Sequence, residues 1–502
     1  MVATSGALVA LLAAPVRAAR VTVKVSDTRI SGPMPSGFIG FSFEFQAVRD
    51  YTGPDPRAIN PVLVQLIREV APDQTPVLRI GGNSTDQSWW PIPNATPSPG
   101  VIYTLDKSWL ATTRALAVAT GAKLILGVNL KLDSPAEAAA EAHAYRAGIG
   151  LRNIDELEIG NEPELYNVFP YYEEGGVPFY ARPPTYDFAG YAQDVAQIAN
   201  RLRRFALAGP ATGEASWLAG VPQLFAAVPR LKVVTYHRYP LLACFTQPGD
   251  PHYPSIPNLL SSDSARDLLQ GVGDVISFAH RHGAIVRIDE LNSVACAGQP
   301  GVSDTFASAL WMLDTLFAMA RAGVDGVNIH TLPGVSYEPF VFRRIRGRWL
   351  ATVRPDYYSL LMFERAASPG ARMLALEQTA STDVRTRATI TRDGEVHVVL
   401  INDSLTSGHI ALIKPPAKAR EAVLERLVAP SAAATNDVTL AGQTFGNETG
   451  TGTLKGKLKT VRVASNRRGR YLIRLPASSA AMLTFVPAAT SPPPGPRTGG
   501  SR

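Results

Sequence analysis

The stretch Glu156-Leu157-Glu158-Ile159-Gly160-Asn161-Glu162-Pro163-Glu164-Leu165-Tyr166 sets the reading of the whole chain. It begins as a strand, because side chains alternate along extended backbone: Leu157 and Ile159 fall on one face, Glu158, Gly160 and Glu162 on the other. Pro163 has no N–H to give to a ladder, so the strand is predicted to end at Glu162, with that carboxyl at its C-terminal lip. An apolar face for helices and a polar tip fit a strand of an α/β barrel. A second acidic strand end follows later, in Ile285-Val286-Arg287-Ile288-Asp289-Glu290-Leu291-Asn292-Ser293.

Working outward, eight short apolar segments alternate with helix-like stretches, at 38–45, 77–83, 124–129, 157–162, 206–213, 233–239, 285–290 and 327–331. Such alternation implies parallel βαβ units, and eight of them imply a (β/α)₈ TIM barrel, over residues 37–370, with its working face at the C-terminal strand ends. The segment 206–213 is poor in β-forming residues. Residues 371–487 switch to short strands separated by turn residues, read as an antiparallel β-sandwich domain, and an alternating strand within 20–36 is expected to join it. Residues 1–19 read as a secretory signal cut after Ala18 or Ala19, which implies a secreted or periplasmic protein. The Pro- and Gly-rich residues 488–502 read as a disordered tail.

Composition narrows the classes. The 502 residues carry 49 Lys and Arg against 42 Asp and Glu, a net charge of +7, and 46% are hydrophobic. That is a folded globular protein with a lean towards acidic partners. No nucleic-acid-binding motif accompanies the charge, no apolar run is long enough to span a membrane, and no Gly-rich phosphate cradle is present. The basic runs Arg343-Arg344-Ile345-Arg346-Gly347-Arg348 and Arg467-Arg468-Gly469-Arg470 read as solvated surface or as a polyanion contact. The two cysteines, Cys244 and Cys296, cannot build a four-ligand zinc motif and are expected to be bridged in an exported protein.

Several predicted strand tips are polar: Phe43-Glu44-Phe45, Arg79-Ile80-Gly81-Gly82-Asn83-Ser84-Thr85-Asp86, Tyr236-His237-Arg238-Tyr239-Pro240 and Asn328-Ile329-His330-Thr331. In a barrel they converge on one rim with Glu162 and Glu290. On these residues the chain resembles the (β/α)₈ clan of retaining glycoside hydrolases with catalytic acids on strands four and seven. Within the clan it is most similar to family 79, the β-glucuronidase and heparanase family. The likeness rests on Gly40-Phe41-Ser42-Phe43-Glu44-Phe45, Leu78-Arg79-Ile80-Gly81-Gly82-Asn83, Glu158-Ile159-Gly160-Asn161-Glu162-Pro163 and Asp289-Glu290-Leu291-Asn292-Ser293, and covers about residues 21 to 487.

The resemblance implies Glu162 as general acid/base and Glu290 as nucleophile. Retaining hydrolysis needs two carboxyls roughly 5–5.5 Å apart, one protonated and one ionised. Arg79 and Tyr239 are the candidates for keeping Glu290 ionised, with a plain salt bridge from Arg79 to Glu158 as the alternative. His237 is either a support for the pair or a satisfied core histidine. Asn161 is expected to bond the sugar 2-OH, with Glu44, Asn83, Tyr239 and His330 lining the sugar site. In the family a Tyr and backbone amides after strand eight hold the uronic carboxylate, which points to Gly334 and Tyr337 in Leu332-Pro333-Gly334-Val335-Ser336-Tyr337; an ordinary Pro-Gly turn is the alternative. No metal and no cofactor are implied.

The expected substrate is a carbohydrate bearing β-glucuronic acid, whether an acidic polysaccharide or a glucuronide conjugate. The insertion from Trp89-Trp90-Pro91-Ile92-Pro93 to Tyr103 tilts the expectation to exo action over a heparanase-like endo action. A β-xylosidase, β-glucosidase or arabinofuranosidase of the same clan would keep both glutamates. A non-catalytic carbohydrate-binding protein would tend to lose one.

Overall fold

The computed structural model describes residues 19–379, 383–416 and 419–487. The expected secretory signal, apart from Ala19, and the expected tail lie outside the described residues. Ala19 already belongs to a strand.

Eight parallel strands close a barrel: Ile39–Glu44, Val77–Gly81, Lys123–Val128, Ile154–Ile159, Ala206–Thr212, Leu231–Arg238, Ile285–Leu291 and Gly326–Thr331. They are called strands one to eight below. Strand eight pairs with strand one and strand four with strand five, so strands four and eight face each other across the barrel. Leu157 and Ile159 are fully buried in the apolar layer between barrel and helices, whereas Glu158 turns inward to meet Arg79 of strand two. Strand five forms despite its composition because strands four and six pair with it on both sides. Pairing overrides weak local preference here.

Strand four stops earlier than predicted, at Ile159 rather than Glu162. The Asn161 N–H donates to Asp86 Oδ2 at 3.1 Å, and the Glu162 N–H to the Ala211 carbonyl at 2.8 Å. Those acceptors pull the chain out of the ladder before Pro163 is reached. Gly160 takes φ +81° with no room for a side chain, since a Cβ would stand 2.5 Å from the Tyr166 hydroxyl. Glu162 itself has φ 46° and ψ 58°. A non-glycine residue in this left-handed region costs roughly 1–2 kcal/mol, so the surroundings hold its carboxyl where it is.

The second domain is a ten-stranded sheet that encloses its own apolar core, including Val21, Val23, Leu374, Val398, Leu400, Ile413, Leu483 and Phe485. The N-terminal strand Ala19–Arg29 enters it as expected, antiparallel to Arg372–Gln378 and parallel to His409–Lys414. That one parallel pairing departs from the all-antiparallel expectation. The strands Arg372–Gln378 and Thr439–Leu440 were not expected. The sheet also meets the barrel: Met373, Val399, Ile401 and Met482 belong to the barrel's apolar core. Asp314, on the helix Phe306–Ala322, pairs with Arg387 at 2.6 Å and Arg385 at 3.4 Å from the sheet. Among the described residues no helix is long and apolar enough to cross a membrane.

Burial raises several carboxyls away from the site: Glu141 and Glu364 to about 8, Asp356 and Asp403 to about 7. Such groups hold protons in the folded state that the unfolded chain has released. Stability is therefore expected to fall as pH rises from about 5 to about 8. His237, raised to about 9, works in the same direction, its contribution being lost as pH climbs towards that value. Thermal unfolding at several pH values checks this: a melting temperature several degrees lower at pH 8 than at pH 5.5 is expected, and a rise over that interval contradicts it.

Candidate active site

Arg79 is the hub of the site. It is completely buried, yet its guanidinium reaches Glu290 Oε2 (2.7 Å), Glu158 Oε2 (2.7 Å), Asn161 Oδ1 (2.8 Å) and Ser42 Oγ (3.2 Å). Both roles left open by the sequence are filled at once. Tyr239 donates its hydroxyl to the other Glu290 oxygen at 2.8 Å, and His330 Nδ1 lies 3.6 Å from Oε2. Burial alone would raise the Glu290 carboxyl. The charges of His330, His237 and Arg79 and the Tyr239 hydrogen bond outweigh it and hold Glu290 well below the usual carboxylate range.

Glu162 is the more open carboxyl, with 22% of its side chain exposed, and His237 Nδ1 stands 3.1 Å from its Oε1. His237 is buried; its Nε2 faces Asp289 Oδ1 at 3.6 Å and its Nδ1 faces Glu290 Oε2 at 3.8 Å. Burial opposes a charge on this ring, but Glu290, the Glu162 bond and Asp289 raise it to about 9 against burial and Arg79. His237 is thus a cation between two carboxyls and not an inert core residue. One donor atom each from Glu162, His237 and Glu290 lie within 4.8 Å of one another. That spacing also suits a metal ion, which would have to displace the proton that His237 holds.

Asn161 is buried, and its Nδ2 donates to Asn83 Oδ1 at 3.3 Å, Asn83 being exposed on the lip. Glu44 serves the turn after strand two: it accepts from the Asn83 N–H (3.1 Å), the Ser84 N–H (2.8 Å) and the Ser84 hydroxyl. Its oxygens are largely taken before any sugar arrives. The expectation for Gly334 needs correction. Its N–H donates to Glu338 Oε2 at 3.0 Å, and Glu338 Oε1 accepts from Tyr51 at 3.1 Å, so a carboxylate of the protein already occupies that amide. Among the described residues, the amides of the segment 332–337 without a hydrogen bond are those of Leu332, Val335 and Tyr337. Tyr337 is buried, its ring 6.1 Å from Tyr239 and 6.2 Å from His330.

Four further residues shape the site; of these the sequence singled out only Glu158, as the alternative partner of Arg79. Asp86 accepts from the Leu130 N–H (2.9 Å), the Asn161 N–H (3.1 Å) and the Tyr166 hydroxyl (2.6 Å), tying the loops after strands two, three and four together. Glu164 accepts from the Gly213 N–H at 2.6 Å, and burial, then the charge of Glu162, lift it to about 7. Below the rim, Glu158 and Asp289 are both fully buried. Burial and Glu158 push Asp289 far up, whereas Arg79 overcomes burial to keep Glu158 low. Asp289 therefore carries the proton of that pair.

Cys244 and Cys296 are bonded, with Cα atoms 5.9 Å apart. Beside the bridge, Leu241–Leu242 after strand six pairs with Val294–Ala295 after strand seven, which fixes the loop leaving Glu290. Removing the bridge in a Cys244→Ser/Cys296→Ser variant is expected to cost up to about 4 kcal/mol for a sequence separation of 52. Urea unfolding measures it, and an unchanged midpoint contradicts it.

Residues 378–482 match the C-terminal beta domain of glycosyl hydrolase family 79. A β-glucuronidase of Neurospora crassa is 22% identical over 395 residues, 72% of this chain and 69% of that protein. Over these regions the chain is similar to glycoside hydrolase family 79. Among solved structures, the chain shares its fold with a 4-O-α-L-rhamnosyl-β-D-glucuronidase from Fusarium oxysporum in complex with Rha-GlcA. There the TM-score is 0.70 at 19% identity, over 93% of this chain and all of that one. The arabinofuranosidase of family 51 from Xanthomonas axonopodis superposes with a TM-score of 0.65 at 15% identity, over 93% and 99% of the two chains. The chain is a glycoside hydrolase.

Proposed function

We propose that the protein is a retaining exo-β-glucuronidase. One observation carries the mechanism: an ionised Glu290 and a more exposed Glu162 at the ends of strands seven and four, with carboxyl oxygens within 4.8 Å. That proximity matches the short separation of retaining enzymes, roughly 5–5.5 Å between carboxyls, and leaves no room for the water an inverting enzyme places between them.

In the first step Glu290 attacks the anomeric carbon while Glu162 gives its proton to the departing oxygen. The bond to the leaving group breaks and a glycosyl ester on Glu290 forms. Glu162, now ionised, takes a proton from an incoming water whose oxygen attacks the same carbon from the vacated side, while the ester bond to Glu290 breaks and returns its carboxylate. Two inversions give net retention. Asn161, held by Arg79 and Asn83, offers its side chain to the 2-OH.

The glucuronide part of the proposal draws on the Neurospora relative's name and on the Rha-GlcA complex of the Fusarium enzyme. Within this chain the uronic carboxylate would meet the free amides of Val335 and Tyr337 and the Tyr337 hydroxyl. Exo action is supported by the wall between strands two and four: Ser88–Trp89 pairs with Tyr103–Thr104, and Tyr171 bonds the Asp86 carbonyl at 2.8 Å. Export is supported by the bridged cysteines. A panel of 4-nitrophenyl glycosides tests the substrate: the β-glucuronide should exceed the β-glucoside, β-xyloside and α-arabinofuranoside in kcat/KM by roughly 10⁴-fold, because a site built for a charged, hydrogen-bonding group is left unpaired without it. Equal rates on any of the neutral glycosides overturn the uronic assignment.

A further inference from the structure

We propose that the leaving-group side of the cleft carries an aromatic platform that selects a flat, uncharged aglycone. The inference rests on the assignment of Glu162 as proton donor. A donor must stand at the glycosidic oxygen, so the leaving group extends over the chain segments that follow Glu162, away from Glu290. From Glu162 the chain makes a short turn, Pro163–Leu165, and then runs through Val168 and Phe169 into a hairpin of Tyr172–Glu174 and Val177–Phe179.

This segment is unusually apolar for an exposed rim. Phe169, Phe179 and Tyr180 are 42%, 40% and 48% exposed, and Phe245, on the loop after strand six, is 66% exposed. A contiguous exposed apolar patch beside a cleft marks a binding surface rather than ordinary scatter. The rings are ordered. Phe169 and Phe245 stack with centroids 6.0 Å apart, bridging the loops after strands four and six, and Tyr172 stacks on Phe179 at 4.9 Å with planes 9° apart.

Both supports are fixed. Phe245 follows Cys244, whose bridge to Cys296 ties it to the loop leaving Glu290. The Phe169 segment is closed at its base by the Arg182 N–H to the Tyr166 carbonyl and by Asn167 to the carbonyls of Pro184 and Tyr186. A preformed stack of rings loses little freedom when a further ring is laid against it.

Charge decides the kind of aglycone. Between Asn167 and Ala181 the charged residues are Glu173 and Glu174, both exposed at the hairpin, and no Lys or Arg occurs. A polyanionic leaving group would meet like charge at the hairpin, and the nearest cations are engaged elsewhere: Lys131 lies over the rings of Tyr166 and Tyr171, and Arg182 pairs with Asp194. The basic hairpin Phe340–Ile345 and Arg348–Val353 follows strand eight, across the barrel from strand four.

The test uses S-linked β-glucuronides, which bind but resist cleavage, as competitive inhibitors of the full chain: the methyl, phenyl and glucosyl thioglycosides. The phenyl compound is expected to bind at least about tenfold more tightly than the methyl one. In Phe245→Ala and Phe169→Ala that ratio should fall towards one while the methyl inhibition constant stays put, which also shows the site intact. Equal phenyl and methyl binding by the wild type, or a ratio unmoved in both variants, overturns the platform. Tighter binding of the glucosyl compound than the phenyl one replaces it with a sugar subsite. A Phe245→Ala variant that changes the mass in solution and leaves the ratio unmoved makes the rings a contact between copies. Failure of the methyl compound to bind strikes instead at the glucuronide reading, and the platform falls with it.

Discussion

Glu290→Gln is expected to lower kcat on an aryl β-glucuronide by at least about 10⁴-fold, and added azide should not restore turnover with retained configuration. The amide is too weak a nucleophile to form the glycosyl ester, and the carboxyl beside it, Glu162, is assigned to proton transfer. Glu162→Gln should behave differently. Loss of a general acid costs roughly 10²–10⁴-fold, and least when the departing phenol needs little protonation. The first step should then outlast the second, and azide, which needs no general base, should release the glycosyl-enzyme as the β-glucuronosyl azide. Equal and unrescuable losses in both variants would count against these roles.

Arg79→Met is expected to damage folding and chemistry together. The guanidinium is fully buried and faces Glu158, Glu290 and the Asn161 amide. Deleting it leaves two buried carboxyls without their cation, a loss of about 3–5 kcal/mol by comparison with other broken buried pairs. One of the charges that holds Glu290 below its ordinary value also disappears. The ionised nucleophile, present above its pKa and lost as pH falls through it, should then be lost at a higher pH. The acid limb of the kcat/KM profile should therefore move upward in Arg79→Met. Denaturant unfolding reads the first effect and the pH profile the second. A stable variant with an unmoved acid limb would make Arg79 dispensable to Glu290.

The barrel was legible because each strand buries one face against helices and turns polar groups to one rim, a pattern written in period two. The end of strand four was not. Pro163 marks where a ladder cannot continue, but Asp86 and Ala211 capture the preceding N–H groups from distant parts of the chain. Glu290 and Glu162 could be read from their strand ends, and Tyr239 and Arg79 were rightly placed around Glu290. Glu44 was read as lining the sugar site, and its use as an acceptor for the Asn83 and Ser84 turn was not legible, since it depends on two strands coming together. Gly334 is the instructive correction. The carboxylate that takes its amide sits four residues on, at Glu338, so a signal was present beside the Gly. The sharing of one proton between Asp289 and Glu158 leaves no sequence trace at all, because it arises from burial of both beside Arg79.

The most direct test of the double-displacement assignment is the configuration of the first sugar product. Proton NMR of the first minutes of hydrolysis of an aryl β-glucuronide should show the β anomer of glucuronic acid appearing first, followed by slow mutarotation. Initial release of the α anomer, or no hydrolysis of the β-glucuronide at all, would contradict the pairing of Glu290 and Glu162 as nucleophile and acid/base of a retaining β-glucuronidase.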